Sequence, residues 1–265
     1  MAALRLAHYG PWAVIAGGSE GVGAEFAVLL AAAGMNLVLV ARKPDPLEAT
    51  AQLCRARGAL VRTVPVDLVD PAAVDRIAAV TADLEVGLLI YNAGANTCSM
   101  EFLDGEPADF QRVIDLNIGA QLALVRHFAT PMRQRRRGGV LLAGSLAGYL
   151  GAARHSVYGA AKAFGRIFAE SLWLELRDHD VHVLHLVLGV TRTPAMQRAG
   201  LNFDVPGLRV AEPAEVARQG LAQLPHGPVF IAGDNARDVQ RRNDPDRAKV
   251  VVGNHRFMQR LLGPE

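Results

Sequence analysis

Tyr158 and Lys162 stand four residues apart in Ser156-Val157-Tyr158-Gly159-Ala160-Ala161-Lys162, in a chain with four tyrosines and only three lysines. On a helix that spacing puts both side chains on one face, one above the other. A phenol titrating near its ordinary value of about 10 is a poor base at neutral pH. A cation held close to it stabilises the phenolate and lowers that value. Such a pair can give or take a proton at a reacting oxygen. A Tyr-x-x-x-Lys pair by itself also arises by chance, so the surrounding chain must decide.

A second group of residues suits phosphate. Ala16-Gly17-Gly18-Ser19-Glu20-Gly21-Val22-Gly23 follows an apolar run and precedes a helical pattern. Glycines let the backbone approach an anion, and a helix N-terminus offers unpaired N–H groups. The spacing is Gly-x-x-x-Gly-x-Gly, and a tight turn without ligand is the bland alternative. The next apolar run ends in Val40-Ala41-Arg42-Lys43. In dinucleotide folds an acid at that place takes ribose hydroxyls, whereas an arginine suits a 2′-phosphate. Arg42 and Lys43 therefore favour NADP over NAD, with Asp45 close enough to blunt their charge.

Asn117 is the third polar signal. Phe110, Val113, Ile114, Ile118, Leu122 and Val125 form an apolar stripe at helical spacing, and Asn117 lies inside it. A buried amide needs partners.

The elements that would position these residues alternate. Apolar, β-branched runs at 12–16, 37–41, 60–66, 87–91, 140–143, 181–188 and 229–232 read as strands. Helical patterns occupy 23–33, 47–57, 71–84, 108–132, 157–178 and 213–224. Gly34 and Gly58 sit at helix ends, and Asp70 is an expected N-cap. The expected fold is α/β: a single-domain, Rossmann-like, doubly wound parallel sheet of about seven strands with helices on both faces. Two segments interrupt the pattern. Residues 194–212 carry scattered apolar side chains and read either as a substrate flap or as a surface insertion. Residues 234–265 read as a C-terminal extension packing on the body or on a partner.

In this order along the chain, the motifs resemble those of the short-chain dehydrogenase/reductase family. They are Gly17–Gly23, Asp67, Asn92-Ala93-Gly94, Asn117, Ser145 thirteen residues before Tyr158, Lys162, and Leu188-Gly189-Val190-Thr191-Arg192-Thr193-Pro194. The resemblance implies hydride transfer between a nicotinamide cofactor, NADP with NAD as the alternative, and a carbonyl or secondary alcohol. It implies Tyr158 as general acid/base, Lys162 as the cation that also grips the nicotinamide ribose, Ser145 at the substrate oxygen, and Asn117 bending its helix and holding a water that links Lys162 to solvent. It further implies cofactor contacts from Gly17, Ser19, Glu20, Gly21, Val22, Gly23, Arg42 and Lys43. Asp67 and Leu68 belong to the adenine side, Asn92, Ala93 and Gly94 to the adenosine side, and Gly189, Thr191 and Thr193 to the carboxamide and phosphate side. The chain departs from the family pattern in having Leu188 where proline is usual, and Glu20 where NADP-using relatives often carry a base. A cofactor-binding sensor without turnover, or a lyase or epimerase on the same scaffold, are the alternatives. A homodimer or homotetramer through the two long helices is implied by analogy.

Composition excludes several classes. The formal net charge is +2, too small for a nucleic-acid surface. No apolar run approaches a membrane span, and the first residues do not read as a signal peptide. Cys54 and Cys98 form neither a disulfide framework nor a metal-ligand spacing, and no His-x-x-x-His pair lies on a helix, so no metal is expected. A cytoplasmic location is the simplest expectation. His155 is a possible substrate contact beside Tyr158.

Overall fold

A computed structural model describes residues 6–262. The first five residues, part of the start read for a signal peptide, and 263–265 of the expected extension lie outside them.

Seven strands form one sheet in the order β3-β2-β1-β4-β5-β6-β7, and every adjacent pair is parallel. They are β1 Trp12–Ala16, β2 Asn36–Ala41, β3 Val61–Pro65, β4 Val86–Tyr91, β5 Gly138–Ser145, β6 Val181–Leu188 and β7 Val229–Ile231. Parallel strands need crossovers, and helices supply them. The helices are α1 Gly21–Ala32, α2 Pro44–Arg55, α3 Ala73–Thr81, α4 Pro107–Ile114, α5 Ala120–Arg135, α6 Ser156–Leu176, α7 Pro194–Arg198, α8 Pro213–Gln223, α9 Ala236–Arg242 and α10 Arg247–Leu262.

The near-continuous apolar strands have a physical cause. Alternate residues enter different cores: Ala13 and Ile15 pack with Phe26, Leu30 and Leu221 on one face. Val14 and Ala16 pack with Leu124, Phe128 and Leu172 on the other. A strand covered on both sides has no solvent face to mark with polar residues.

Three expectations are corrected. The helix expected at 71–84 spans only Ala73–Thr81, and Asp70 does not cap it: its carboxylate accepts from the Ala72 N–H at 2.9 Å, in the turn before the helix. The strand expected at 140–143 runs over Gly138–Ser145 and carries Ser145 as its last residue. The helix expected at 108–132 is interrupted by a π-helical segment, Asp115–Gly119, between α4 and α5. A π segment releases backbone carbonyls from their ordinary partners. The Tyr91 hydroxyl donates to one of them, Leu116 O, at 2.5 Å. Asn117 lies in this segment.

The strand order reverses between β1 and β4, which makes a crevice outside their C-terminal ends. The glycine turn leaves β1 and Asn92-Ala93-Gly94 leaves β4, so both expected motifs meet at that crevice.

Candidate active site

The glycine turn is built by close approach. Gly17 has φ +83°, and a Cβ there would lie 2.7 Å from Ala93 N. The Gly17 and Ala93 N–H groups are satisfied by Val40 O and Ala16 O. Asn92 Nδ2 donates to Gly17 O at 3.1 Å, tying the two loops together. Helix α1 starts at Gly21 and its N-cap residue, Glu20, makes no side-chain cap, so the first-turn N–H groups of Gly21, Val22 and Gly23 face outward as an anion site. Ser19 uses its carbonyl to accept from Thr50 Oγ1. These residues fit a pyrophosphate: the backbone is bare where an anion must approach.

The residues expected to transfer protons come together at the ends of β5 and α6. Tyr158 and Lys162 are one turn apart on α6, and the ammonium lies 5.6 Å from the phenol ring centroid. Ser145, at the end of β5, accepts from Ala147 N at 3.1 Å and also hydrogen-bonds the phenol. It thus caps a turn and faces Tyr158 at once. Burial raises the Tyr158 pKa, and the Ser145 hydrogen bond opposes that rise. Lys162 is buried, and desolvation lowers its pKa to about 8. Its Nζ donates to Ala143 O at 3.2 Å. The expectation that Lys162 lowers the phenol's pKa meets a difference here: the ammonium is directed at a backbone carbonyl, and burial sets the phenol's direction.

Asn117 is 2% exposed. Its amide donates to Val113 O at 2.9 Å and to Ala95 O at 3.1 Å. Those are backbone groups of its own helix and of the loop after β4. Its Oδ1 has no partner. A Cβ at Gly94 (φ +150°) would lie 2.7 Å from both Asn117 Oδ1 and Lys162 Nζ, so glycine keeps those two polar atoms open to each other.

Other expected residues are placed differently from their simple reading. Asp67 is ion-paired: Arg112 of α4 donates to it at 3.2 Å, and Arg42 lies 4.0 Å away. Asp67, not Asp45, is therefore the acid that meets Arg42. Lys43 is exposed and Leu68 is buried. Glu20 binds Arg198 of α7 through both carboxylate oxygens, which fastens the start of 194–212 to the glycine turn. Thr193 Oγ1 accepts from Met196 N at 3.2 Å as the cap of α7. Its methyl group would be 3.1 Å from a Cβ at Gly21. Thr191 Oγ1 donates to Gly189 O at 3.1 Å. His155 is half-buried, its ring 6.2 Å from that of Tyr158.

The extension after Ala232 packs on the body. Asn235 fills the space over Gly189, where a Cβ would lie 2.6 Å from its Nδ2. Arg242 of α9 donates to Leu146 O, next to Ser145, at 3.1 Å. Arg112, Arg198 and Arg242 carry no local motif, and the hydrogen-bond partners of their side chains named above lie 45 to 178 residues away. No spacing rule reaches that far. Among the described residues one metal-capable group forms, His8, Asp180 and His182, at the other end of the sheet.

Comparison with known proteins decides the family. The sequence profile of "short chain dehydrogenase" matches residues 11–202. This chain is a member of the short-chain dehydrogenase family. It is 27% identical over 246 residues to a 7beta-hydroxysteroid dehydrogenase of Clostridium sardiniense, covering 92% of this chain and 94% of that one. It is 32% identical over 217 residues to a very-long-chain 3-oxoacyl-CoA reductase of Podospora anserina, covering 80% of this chain but only 64% of that protein's length. A solved structure described as giving insights into 7beta-hydroxysteroid dehydrogenase stereoselectivity superposes with a TM-score of 0.85 at 25% identity, covering 95% of this chain and 98% of that one. A short-chain dehydrogenase from Sphingobium yanoikuyae in complex with NADPH superposes with a TM-score of 0.73 at 30% identity, covering 94% and 95%. The dehydrogenase is an NAD(P)-dependent oxidoreductase that transfers hydride between a nicotinamide and a carbonyl or alcohol carbon. No helix among the described residues is long and apolar enough to cross a membrane.

Proposed function

We propose that the dehydrogenase interconverts a bulky, apolar ketone and its secondary alcohol, with NADP(H) as the preferred cofactor. One observation carries the reading: a serine hydroxyl, a phenol and a buried ammonium come together at the end of the sheet that also holds a bare-backbone anion site. The nicotinamide supplies and accepts the hydride. In reduction the Tyr158 phenol donates a proton to the substrate oxygen, and in oxidation it takes one back. Ser145 holds that oxygen by a hydrogen bond, and its bond to the phenol favours the phenolate. Lys162 supplies the positive charge that offsets burial of the phenolate. The unpartnered Asn117 Oδ1 gives Lys162 a polar neighbour across Gly94.

Three cations bear on the choice of NADP. Arg42 and Lys43 stand at the tip of β2, and Arg112 shares Asp67 with Arg42. Guanidinium recognises phosphate through forked hydrogen bonds. Glu20, the acid in the phosphate-binding turn, is occupied by Arg198, which reduces its repulsion of an anion. The apolar substrate class rests on the named relatives and on the loop after β4, where Met100, Phe102 and Leu103 are exposed. The chain is proposed to act as one domain in the cytoplasm. Its oligomer is proposed to form through α5 and α6, where Leu122, Phe164, Ile167 and Leu174 are exposed.

The test is oxidation of NADPH and NADH with a steroid ketone, a 3-oxoacyl thioester and a bulky aryl ketone. Turnover of at least one with NADPH preferred is expected. Tight cofactor binding with no turnover of any member of a wide ketone and aldehyde panel would overturn the catalytic reading.

A further inference from the structure

Near Lys162 lies a cluster of buried polar side chains that the catalytic reading does not use. His185 sits in the middle of β6 and is 2% exposed; Gln121, one turn after Asn117, is 4% exposed. Both are surrounded by apolar core residues of the face that holds Val183, Leu124 and Val125. His185 Nδ1 and Gln121 Oε1 have no hydrogen-bond partner, and neither does Asn117 Oδ1. Unpartnered polar atoms in an interior are costly and rare, so the pair on His185 and Gln121, which face one glycine, Gly165, calls for a reason.

Two glycines show that the pocket is built for the imidazole. A Cβ at Gly144 would overlap the His185 ring. A Cβ at Gly165 would lie 3.5 Å from His185 Nε2 and 3.8 Å from Gln121 Oε1. Any larger residue at 144 would expel the ring. Gly144 lies between Ala143, whose carbonyl receives Lys162 Nζ, and Ser145. The imidazole therefore lies on the strand end that positions both the ammonium and the serine.

The charges around the pocket keep the imidazole neutral. Desolvation lowers the His185 pKa to about 3, and the fields of Lys162 and Arg166 add to that. Both cations are on α6. Arg166 is paired with Glu170 at 3.1 Å and lies over the Tyr149 ring. From α5 the group that faces the imidazole is Gln121, which is neutral. Throughout the working pH range a neutral imidazole thus presents one acceptor and one donor beside a buried ammonium.

We propose that His185 and Gln121 are positioning residues for Lys162: they supply the polar surroundings that keep its ammonium charged and directed past Gly144 toward the Tyr158 side of the pocket. The proposal rests on Lys162 serving as the cation for Tyr158. Replacing the imidazole by hydrocarbon removes a polar neighbour and deepens the desolvation of Lys162. Its pKa must then fall, and that of the Tyr158 phenol must rise with the lost charge.

With only three lysines in the chain, the full-length enzyme labelled at lysine Cε gives three NMR signals. Lys43→Arg and Lys249→Arg assign them by elimination. The Lys162 titration needs no substrate, so its outcome is separable from failure of the catalytic reading. His185→Leu is expected to lower the Lys162 midpoint by about half a unit or more. His185→Gln is expected to restore it, and Gln121→Leu to shift it in the same direction by less. A merely space-filling role would lower the melting temperature of His185→Leu and leave the titration where it was. An unchanged Lys162 midpoint in folded His185→Leu and Gln121→Leu, judged by circular dichroism, overturns the proposal. So does a midpoint that moves in His185→Leu and is not recovered in His185→Gln.

Discussion

The two ends of the sheet each bury a tyrosine against a nitrogen base, and they differ in almost everything that matters for chemistry. At the N-terminal end Tyr9 Oη is hydrogen-bonded to His182 Nδ1 at 2.9 Å, and the His8 and His182 rings stack with centroids 4.3 Å apart. Burial raises the Tyr9 phenol's pKa, and the Asp180 carboxylate raises it further. At the C-terminal end burial raises Tyr158 as well, yet there a serine hydroxyl pulls the other way and the nearby charge is an ammonium. Space differs too. Tyr9 fills the room that glycines leave at its end: a Cβ at Gly139 would lie 2.7 Å from its ring. At the other end the glycines of the β1 and β4 loops leave the crevice bare. A buried phenol becomes an acid/base group where its neighbours favour the phenolate and the backbone leaves room for a ligand. Where aromatic rings fill the room and a carboxylate opposes ionisation, it is a structural hydrogen bond.

Breaking the proposed catalytic end is expected to give the largest effect. Tyr158→Phe is expected to reduce turnover by about 10³-fold or more, within the range of about 10²–10⁴-fold that a positioned acid/base group contributes, while leaving the NADPH dissociation constant within about threefold. Steady-state assays with fluorescence titration of cofactor check this, and retained turnover would refute the assignment. Lys162→Met is expected to lower kcat about 100-fold and to weaken cofactor binding. The same change is expected to raise stability by about 1–3 kcal/mol at pH 7, because it removes a buried cation. The sign follows from linkage. Lys162 titrates at about 8 in the fold against an ordinary 10.5. Between those values the unfolded chain binds more protons, so this residue makes stability rise with pH from about 8 to 10.5 and carries its full cost below 8. Urea melts at pH 7 and pH 10 should show that rise in the wild type and a smaller one in Lys162→Met.

Two smaller changes sharpen the comparison. Arg42→Ala is expected to weaken NADPH about tenfold more than NADH, as loss of a charge-assisted phosphate contact does. Equal losses would mean that Arg42 serves only Asp67. Tyr9→Phe is expected to cost about 1 kcal/mol of stability through its lost hydrogen bond to His182 and to leave kcat within about twofold. A large loss of rate in that variant would end the contrast between the two ends of the sheet.

Much of the site was legible because its chemistry is local. Tyr158 and Lys162 announce themselves by one helical turn, and Gly17 to Gly23 by a strand before and a helix after. Asn117 stood out as an amide in an apolar stripe. The π segment around it was not legible, since Asp115-Leu116-Asn117-Ile118-Gly119 has ordinary helical composition. It is held where the Tyr91 hydroxyl donates to Leu116 O and the Asn117 amide donates to Val113 O and Ala95 O. The engagement of Glu20 by Arg198, of Asp67 by Arg112, and of Leu146 O by Arg242 was equally hidden, because each joins segments far apart in the chain.

The order of apolar strands and helical stripes, with a glycine turn after the first strand, was enough to specify a parallel α/β sheet and the residue types that face its crevice. Periodicity and turn chemistry act over a few residues, and a sequence displays them directly. Only the folded chain decided which charges are neutralised, how far burial pulls Lys162 down, and that His185 rests on Gly144 near it. Those depend on desolvation and on partners brought together across strands, and a residue's solvation is set by what the rest of the chain packs around it.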